Sequence, residues 1–373
     1  MTSWSLGIGR QSLARGGGWV PARTTRWEVA GAHGYVPDVQ RPLAVVGIGN
    51  ALVDVIASAT DGFLAAHDLV KGSMALIDAE RAEALYDAMG PAVEASGGSA
   101  ANTLAGLASL GGRGAFLGRV RDDQLGAVFA HDIRAVGVEY PCRPVSSGPP
   151  TGRCLIIVTP DAQRTMSTYL GSSSELAPGD VDEAVVARAA VTYLEGYLFD
   201  RDAAKEAFEK AAAVAHAAGA RVALTLSDSF CVQRFAPEFR DLVDGVVDIL
   251  FANEAELGML YDTDHDSALA EAEARCEIVA LTRGDRGCTI AAGGERHDVP
   301  AHHVPRVLDT TGAGDLFAAG FLHGLTTGQD HVTSARLGSL AAAEVISHMG
   351  ARPETVLAAL AEPLLADEAG PPV

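Results

Sequence analysis

The chain has 373 residues, a formal net charge of −20 and 48% hydrophobic side chains. That apolar content supports a sizeable core and excludes wholesale disorder. The acidic balance excludes a nucleic-acid binder, which needs a basic face against phosphates. Five cysteines, Cys142, Cys154, Cys231, Cys276 and Cys288, show no Cys-x-x-Cys spacing. They read as small buried hydrophobes of a cytoplasmic protein, not as a disulfide framework or a zinc site. No run reaches the roughly 18 apolar residues of a membrane span.

The first forty residues differ from the rest. Arg10, Arg15, Arg23 and Arg26 precede the first acid, Glu28. A transit peptide has that composition. A disordered extension over residues 1–40 is the expected reading, and no apolar core marks a secretory signal.

From Leu43 the texture is regular. Apolar runs at 43–49, 115–120, 191–195, 221–226, 248–252 and 278–282 read as parallel strands covered on both faces. Segments with helical spacing lie between them, at 99–110, 123–136, 203–218 and 315–326. The alternation predicts an α/β sandwich around a mainly parallel sheet, spanning 41–365, with a flexible tail at 366–373. Two stretches break the rhythm, 53–78 and the proline-bearing 138–171. They predict a small separate β-sheet that covers the site as a lid and excludes water.

The run Gly47-Ile48-Gly49-Asn50-Ala51-Leu52-Val53-Asp54 ends the first strand. It fails as a dinucleotide fingerprint, because Leu52 occupies the third glycine position and no clear helix follows. Asp54 suits a vicinal diol, since a carboxylate accepts two hydrogen bonds; a surface turn acid is the alternative. Gly97-Gly98-Ser99-Ala100-Ala101-Asn102 opens a helix, with Ser99 as the expected N-cap. Asn253-Glu254-Ala255-Glu256 follows a strand, at the sheet edge where ligands bind. Thr282-Arg283-Gly284-Asp285-Arg286-Gly287 follows another; Arg283 and Arg286 are either phosphate contacts or solvated turn residues.

The most informative run is Val307-Leu308-Asp309-Thr310-Thr311-Gly312-Ala313-Gly314-Asp315, which leads into an apolar helix. Gly312 and Gly314 let several backbone N–H groups face one way at a helix N-terminus, an arrangement that binds anions. Asp315 lies in the first turn, beside those amides. Phosphoryl transfer needs this pair of features: amides for the charge developing on the phosphate, and a carboxylate for the hydroxyl proton.

Asp309-Thr310-Thr311-Gly312-Ala313-Gly314-Asp315-Leu316-Phe317-Ala318-Ala319-Gly320-Phe321-Leu322 resembles the second signature of the ribokinase-like (PfkB) carbohydrate and nucleoside kinases. The 97–102 run, continued by Gly118-Arg119-Val120-Arg121-Asp122-Asp123-Gln124-Leu125-Gly126, resembles the first, with Arg121 where a glycine is often seen. The resemblance implies Asp315 as catalytic base and Gly312, Ala313 and Gly314 as the anion hole. It implies Asp54, Gly97, Gly98 and Asn102 around the sugar. Asn253, Glu256, Thr282, Gly284 and Gly287 would serve ATP and Mg²⁺, with Glu256 reaching the metal through water. The C-terminal segment 340–351 would flank adenine, with His348 structural and Ser339 where many relatives carry an asparagine. A monovalent cation is left open, as is the choice between a monomer and a homodimer clasped through the lid.

Several segments resemble bacterial adenosine kinases: 49–54, 192–198, 223–228 and 341–348. They imply a nucleoside acceptor phosphorylated on its 5′-hydroxyl, with adenosine giving AMP in purine salvage. Another purine nucleoside or a free sugar is the alternative. Phe63, Tyr169, Tyr197 and Phe199 are candidates for the wall against a purine. A non-catalytic nucleoside sensor is disfavoured, because Asp315, the anion-hole glycines, Asn253 and Glu256 are all present.

Overall fold

The computed structural model describes residues 41–161 and 163–368; the expected extension at 1–40 lies outside them. Among the described residues, thirteen strands fall into two sheets. The strands are β1 (Leu43–Ile48), β2 (Leu52–Ser58), β3 (Met74–Leu76), β4 (Ala92–Gly97), β5 (Gly114–Leu117), β6 (Gly152–Val158) and β7 (Arg164–Tyr169). They continue as β8 (Ala189–Glu195), β9 (Arg221–Thr225), β10 (Ile249–Asn253), β11 (Ile278–Thr282), β12 (Cys288–Ala292) and β13 (Glu295–Val299).

The large sheet has the order β13-β12-β11-β10-β9-β8-β1-β5. Its strands from β5 to β11 pair in parallel, and β12 and β13 add an antiparallel edge. Side chains alternate across this sheet and feed two cores. Val46, Ile48, Val222, Leu224, Leu250, Val279 and Leu281 meet the helices Asp202–Ala217 and Ser229–Gly245. Val45, Val191, Tyr193, Ala223, Phe251 and Ala280 meet the helices Ser99–Ser109 and Ala313–Thr327. Each fully buried aliphatic or aromatic side chain contributes about 1.5–3 kcal/mol. Two covered faces explain the continuous apolar runs in the sequence.

The small sheet has the order β3-β7-β6-β2-β4. It departs from the expected boundaries in two ways. Residues 92–97 supply an edge strand, antiparallel to β2, that lies beyond the expected stretch 53–78. Residues 138–150 stay with the large domain, where Phe116 N–H donates to Glu139 O and Tyr140 packs between Phe116 and Phe129. Prolines interrupt that stretch, so it meets β5 through an isolated parallel bridge between Ala115 and Glu139 and adds no full strand to either sheet. Of the expected tail at 366–373, residues 366–368 belong to the helix Leu357–Glu368, and 369–373 lie outside the described residues. Among the described residues, no helix is long and apolar enough to cross a membrane. All five cysteines are free, and four are buried.

Candidate active site

A cavity of about 710 Å³ opens along the carboxyl edge of the large sheet, under the inner face of the small sheet. The ends of β8, β9, β10 and β11 reach it through Glu195, Thr225, Asn253 and Thr282. Ligands of open α/β sheets bind at this edge, where helix N-termini and strand ends converge.

Asp315 is the third residue of its helix, which starts at Ala313, two residues before the expected start. Gly312 precedes it in the left-handed region, at φ 79°. The Asp315 carboxylate accepts from Ser99 Oγ at 2.6 Å and from Asn102 Nδ2 at 3.1 Å. Burial raises its pKa, opposed by these two hydrogen bonds and by the charge of Arg352. A raised carboxylate pKa lies nearer neutrality, which suits a general base.

Ser99 is not the N-cap. Gly98 holds that place at φ 101°, and Ser99 becomes the first helical residue with its hydroxyl on the Asp315 carboxylate. A side chain at Gly98 would strike Asn50 O, so only glycine lets the helix start so close to the β1–β2 turn. Gly97 does not line the cavity. Its missing side chain makes room for the Asp54 carboxylate.

Asp54 lies on β2 and lines the cavity with Gly98 and Asn102. Burial raises its pKa to about 6, with Arg352 and Arg164 pulling the other way. The chain after Asn50 runs into a strand and not a helix, which is why the dinucleotide pattern fails here.

Gly312, Ala313 and Gly314 all border the cavity. Ala313 N–H closes a turn on Thr310 O at 3.2 Å, so this amide is engaged within the loop. Asp309 shapes this loop by accepting from Thr311 N and Oγ1 at 3.0 and 2.7 Å, and from Gly350 N at 3.0 Å.

Asn253 and Glu256 form a reciprocal capping box at the end of β10. Both Glu256 oxygens accept from Asn253, at 3.0 and 2.6 Å, and burial raises the Glu256 pKa to about 7. Thr282 and Gly284 line the cavity; Gly287 does not, serving instead as a turn residue at φ 88° packed on β13. Arg283 pairs with Asp298 at 2.9 Å and Arg286 pairs with Glu254, so both are turn ion pairs outside the cavity. Ser339 caps His302 N–H, and His348 packs on Glu344 at 3.2 Å.

Of the aromatic candidates, only Tyr197 faces the cavity. Phe63 packs on His67, and Phe199 stacks on Phe239 at 4.2 Å. Tyr169 leaves the cavity wall to its neighbours Thr168 and Leu170. The rim carries Phe230 instead, 50% exposed and capped by the Arg234 guanidinium. Its signal in the sequence, one aromatic after a strand, is indistinguishable from a core residue.

Two charged groups escape sequence reasoning. Glu195, 1% exposed at the cavity floor, accepts from Asn50 Nδ2 and Ala100 N at 2.8 Å each, and burial raises its pKa to about 7. Arg352 donates to Asn102 Oδ1 and Ser96 Oγ at 3.0 Å each. An acid ending an apolar strand and an arginine after a glycine turn carry no periodic signature.

The pfkB family of carbohydrate kinases matches residues 70–356. The crystal structure of a probable sugar kinase from Rhizobium etli CFN 42 is 51% identical, with TM-score 0.81, covering 87% of this chain and 98% of that one. Adenosine kinase from Sinorhizobium meliloti is 52% identical, with TM-score 0.79, covering 86% and 98%. Fructokinase-1 of Oryza sativa subsp. japonica is 29% identical over 238 residues, 62% of this chain and 73% of the relative.

Proposed function

The chain belongs to the pfkB family of carbohydrate kinases and is a phosphotransferase acting on an alcohol group, and from that premise we propose that it phosphorylates the 5′-hydroxyl of a nucleoside, adenosine first, with ATP as donor. One observation carries this reading: Asp54 and Asp315 face a single cavity, with the base held by Ser99 and Asn102 beside the Gly312–Gly314 turn.

Asp54 holds the ribose diol. Asp315 takes the 5′-hydroxyl proton as that oxygen attacks the γ-phosphorus and the bond to the leaving ADP oxygen breaks. The amides of Gly312 and Gly314 stabilise the transferring group, and Ala313 joins them once its bond to Thr310 opens. Met74, Leu76, Ile156 and Met166 on the small sheet give the cavity an apolar wall suited to a purine. Covering the site with that sheet excludes water, which would otherwise accept the phosphoryl group. AMP formed in this way returns a salvaged purine to the nucleotide pool.

Glu256 and Asp228 supply carboxylate oxygens to the cavity wall. Among the described residues, no cluster of three or more metal-ligating side chains forms. Both Glu256 oxygens are already occupied, so these residues fit a hydrated Mg²⁺ held through its waters. When bound, Mg²⁺ would neutralise charge on the phosphates.

A panel of adenosine, inosine, guanosine, ribose and fructose, read by ADP release, tests the acceptor. Adenosine is expected to give the highest kcat/KM; a free sugar ahead of every nucleoside would overturn the assignment.

A further inference from the structure

The catalytic carboxylate is the end of a longer chain of hydrogen bonds. Asp132 on the helix Gln124–Ala135 accepts from Ser96 Oγ at 2.5 Å and Ser96 N at 2.7 Å. Ser96 Oγ accepts from Arg352 Nη2, and Arg352 Nε donates to Asn102 Oδ1, each at 3.0 Å. Asn102 Nδ2 then donates to Asp315 Oδ2 at 3.1 Å. Five elements meet here: β4 of the small sheet, the helices Ser99–Ser109, Gln124–Ala135 and Ala313–Thr327, and the segment after His348.

The chemistry fixes the direction of this relay. A guanidinium carries only donors. Asn102 must therefore turn its carbonyl to Arg352, which leaves its NH₂ for Asp315. Arg352 does not line the cavity itself.

We propose that Arg352 is a positioning residue for phosphoryl transfer, which acts through Asn102 to aim the catalytic carboxylate and ties that aim to the placement of the small sheet through Ser96. This rests on Asp315 being the base. The charges facing Arg352 are Asp132, Asp54 and Asp315. Asp54 also faces Arg164, and Asp315 lies near buried Glu195. Arg352 is thus the cation set between the acceptor carboxylate and the base. Without it, both carboxylates would lose an opposite charge, and their pKa values would rise further.

The test compares Arg352→Gln and Arg352→Lys by kcat, acceptor KM and the pH profile of kcat/KM. The acceptor is adenosine with MgATP, or the panel acceptor that turns over. Arg352→Gln should lower kcat roughly tenfold or more near pH 7 and move the acidic limb up by about 1 unit. Arg352→Lys keeps the charge and should keep the limb near wild type while losing part of kcat. An unmoved limb with kcat within about twofold of wild type overturns the proposal. So does an equal loss in both variants with no limb shift, which marks a structural role only. If Arg352→Gln does not fold, Asn102→Ala cuts the relay and should lower kcat; unchanged kcat there overturns the proposal as well. Asp315→Asn runs alongside. If it stays active, the base assignment falls and the relay with it. If it is inactive while the Arg352 variants behave as wild type, only the relay falls.

Discussion

Arg164 on β7 and Asp309 at the head of the glycine-rich loop form a buried ion pair, Nη1 to Oδ2 at 3.0 Å, with side-chain exposures of 8% and 7%. The pair joins the small sheet to the loop that carries Asp315. The Asp309 carboxylate also holds Thr311 and Gly350, so the loop and the small sheet share one anchor.

Breaking a buried pair strands the partner charge, at a cost of about 3–5 kcal/mol. Asp309→Asn should therefore lower the thermal midpoint clearly. Adding Arg164→Gln should recover part of the loss, because the stranded guanidinium is removed. Additive losses in a double-mutant cycle would show that the two side chains are not coupled.

Removing the proposed base leaves the proposed binding groups in place. Asp315→Asn should cut kcat by about 10²–10⁴-fold, the usual contribution of a positioned general base. Calorimetry should still detect nucleoside binding. Near wild-type turnover would remove Asp315 from its role.

Acid should inactivate the enzyme early. The Asp54 pKa is raised to about 6, so the carboxylate becomes protonated as pH falls through that value. Acceptor KM should rise and kcat/KM should fall below about pH 6. The sign for stability is the reverse: a raised folded-state pKa means that folding favours the protonated form, so Asp54 contributes to stability as pH falls from about 6. Activity and melting profiles in one buffer series check both directions. A KM flat down to pH 5 would contradict the diol assignment.

Gly97 and Gly98 separate a binding effect from a folding effect. An alanine at Gly97 would press on the Asp54 carboxylate, a movable side chain. Gly97→Ala should raise acceptor KM about tenfold with a modest loss of stability. An alanine at Gly98 meets the Asn50 backbone at a positive φ, so Gly98→Ala should cost about 1–3 kcal/mol of stability. Kinetics with parallel melting curves distinguish the two; identical behaviour would count against these roles.

Phe230 at the rim reports on the acceptor. If a purine lies against it, Phe230→Ala forfeits about 0.5–1.5 kcal/mol beyond the area lost, and KM for adenosine rises severalfold. Turnover of ribose, where present, should not change. Equal effects on both acceptors would place the base elsewhere on the apolar wall.

Local chemistry was readable from the residues alone. Apolar runs of strand length place the parallel strands within three residues at each end, because burial on both faces leaves a continuous pattern. Gly312, Gly314 and Asp315 are legible because a tight turn, its amides and a first-turn acid are neighbours in sequence. Asp54 follows the end of β1, and Asn253 and Glu256 stand at and just after the end of β10, for the same local reason. The small sheet was legible only as a break in rhythm, and β4 was missed because its residues 92–97 show no distinct alternation. The tertiary structure alone decided the long-range partners. Ser99 gives up a capping role for Asp315, and Arg352 meets Asn102 across 250 residues. Glu195 meets Asn50 across 145 residues. A charged side chain announces its type in the sequence but not its partner, because that partner is chosen by packing of elements with no local relation to it.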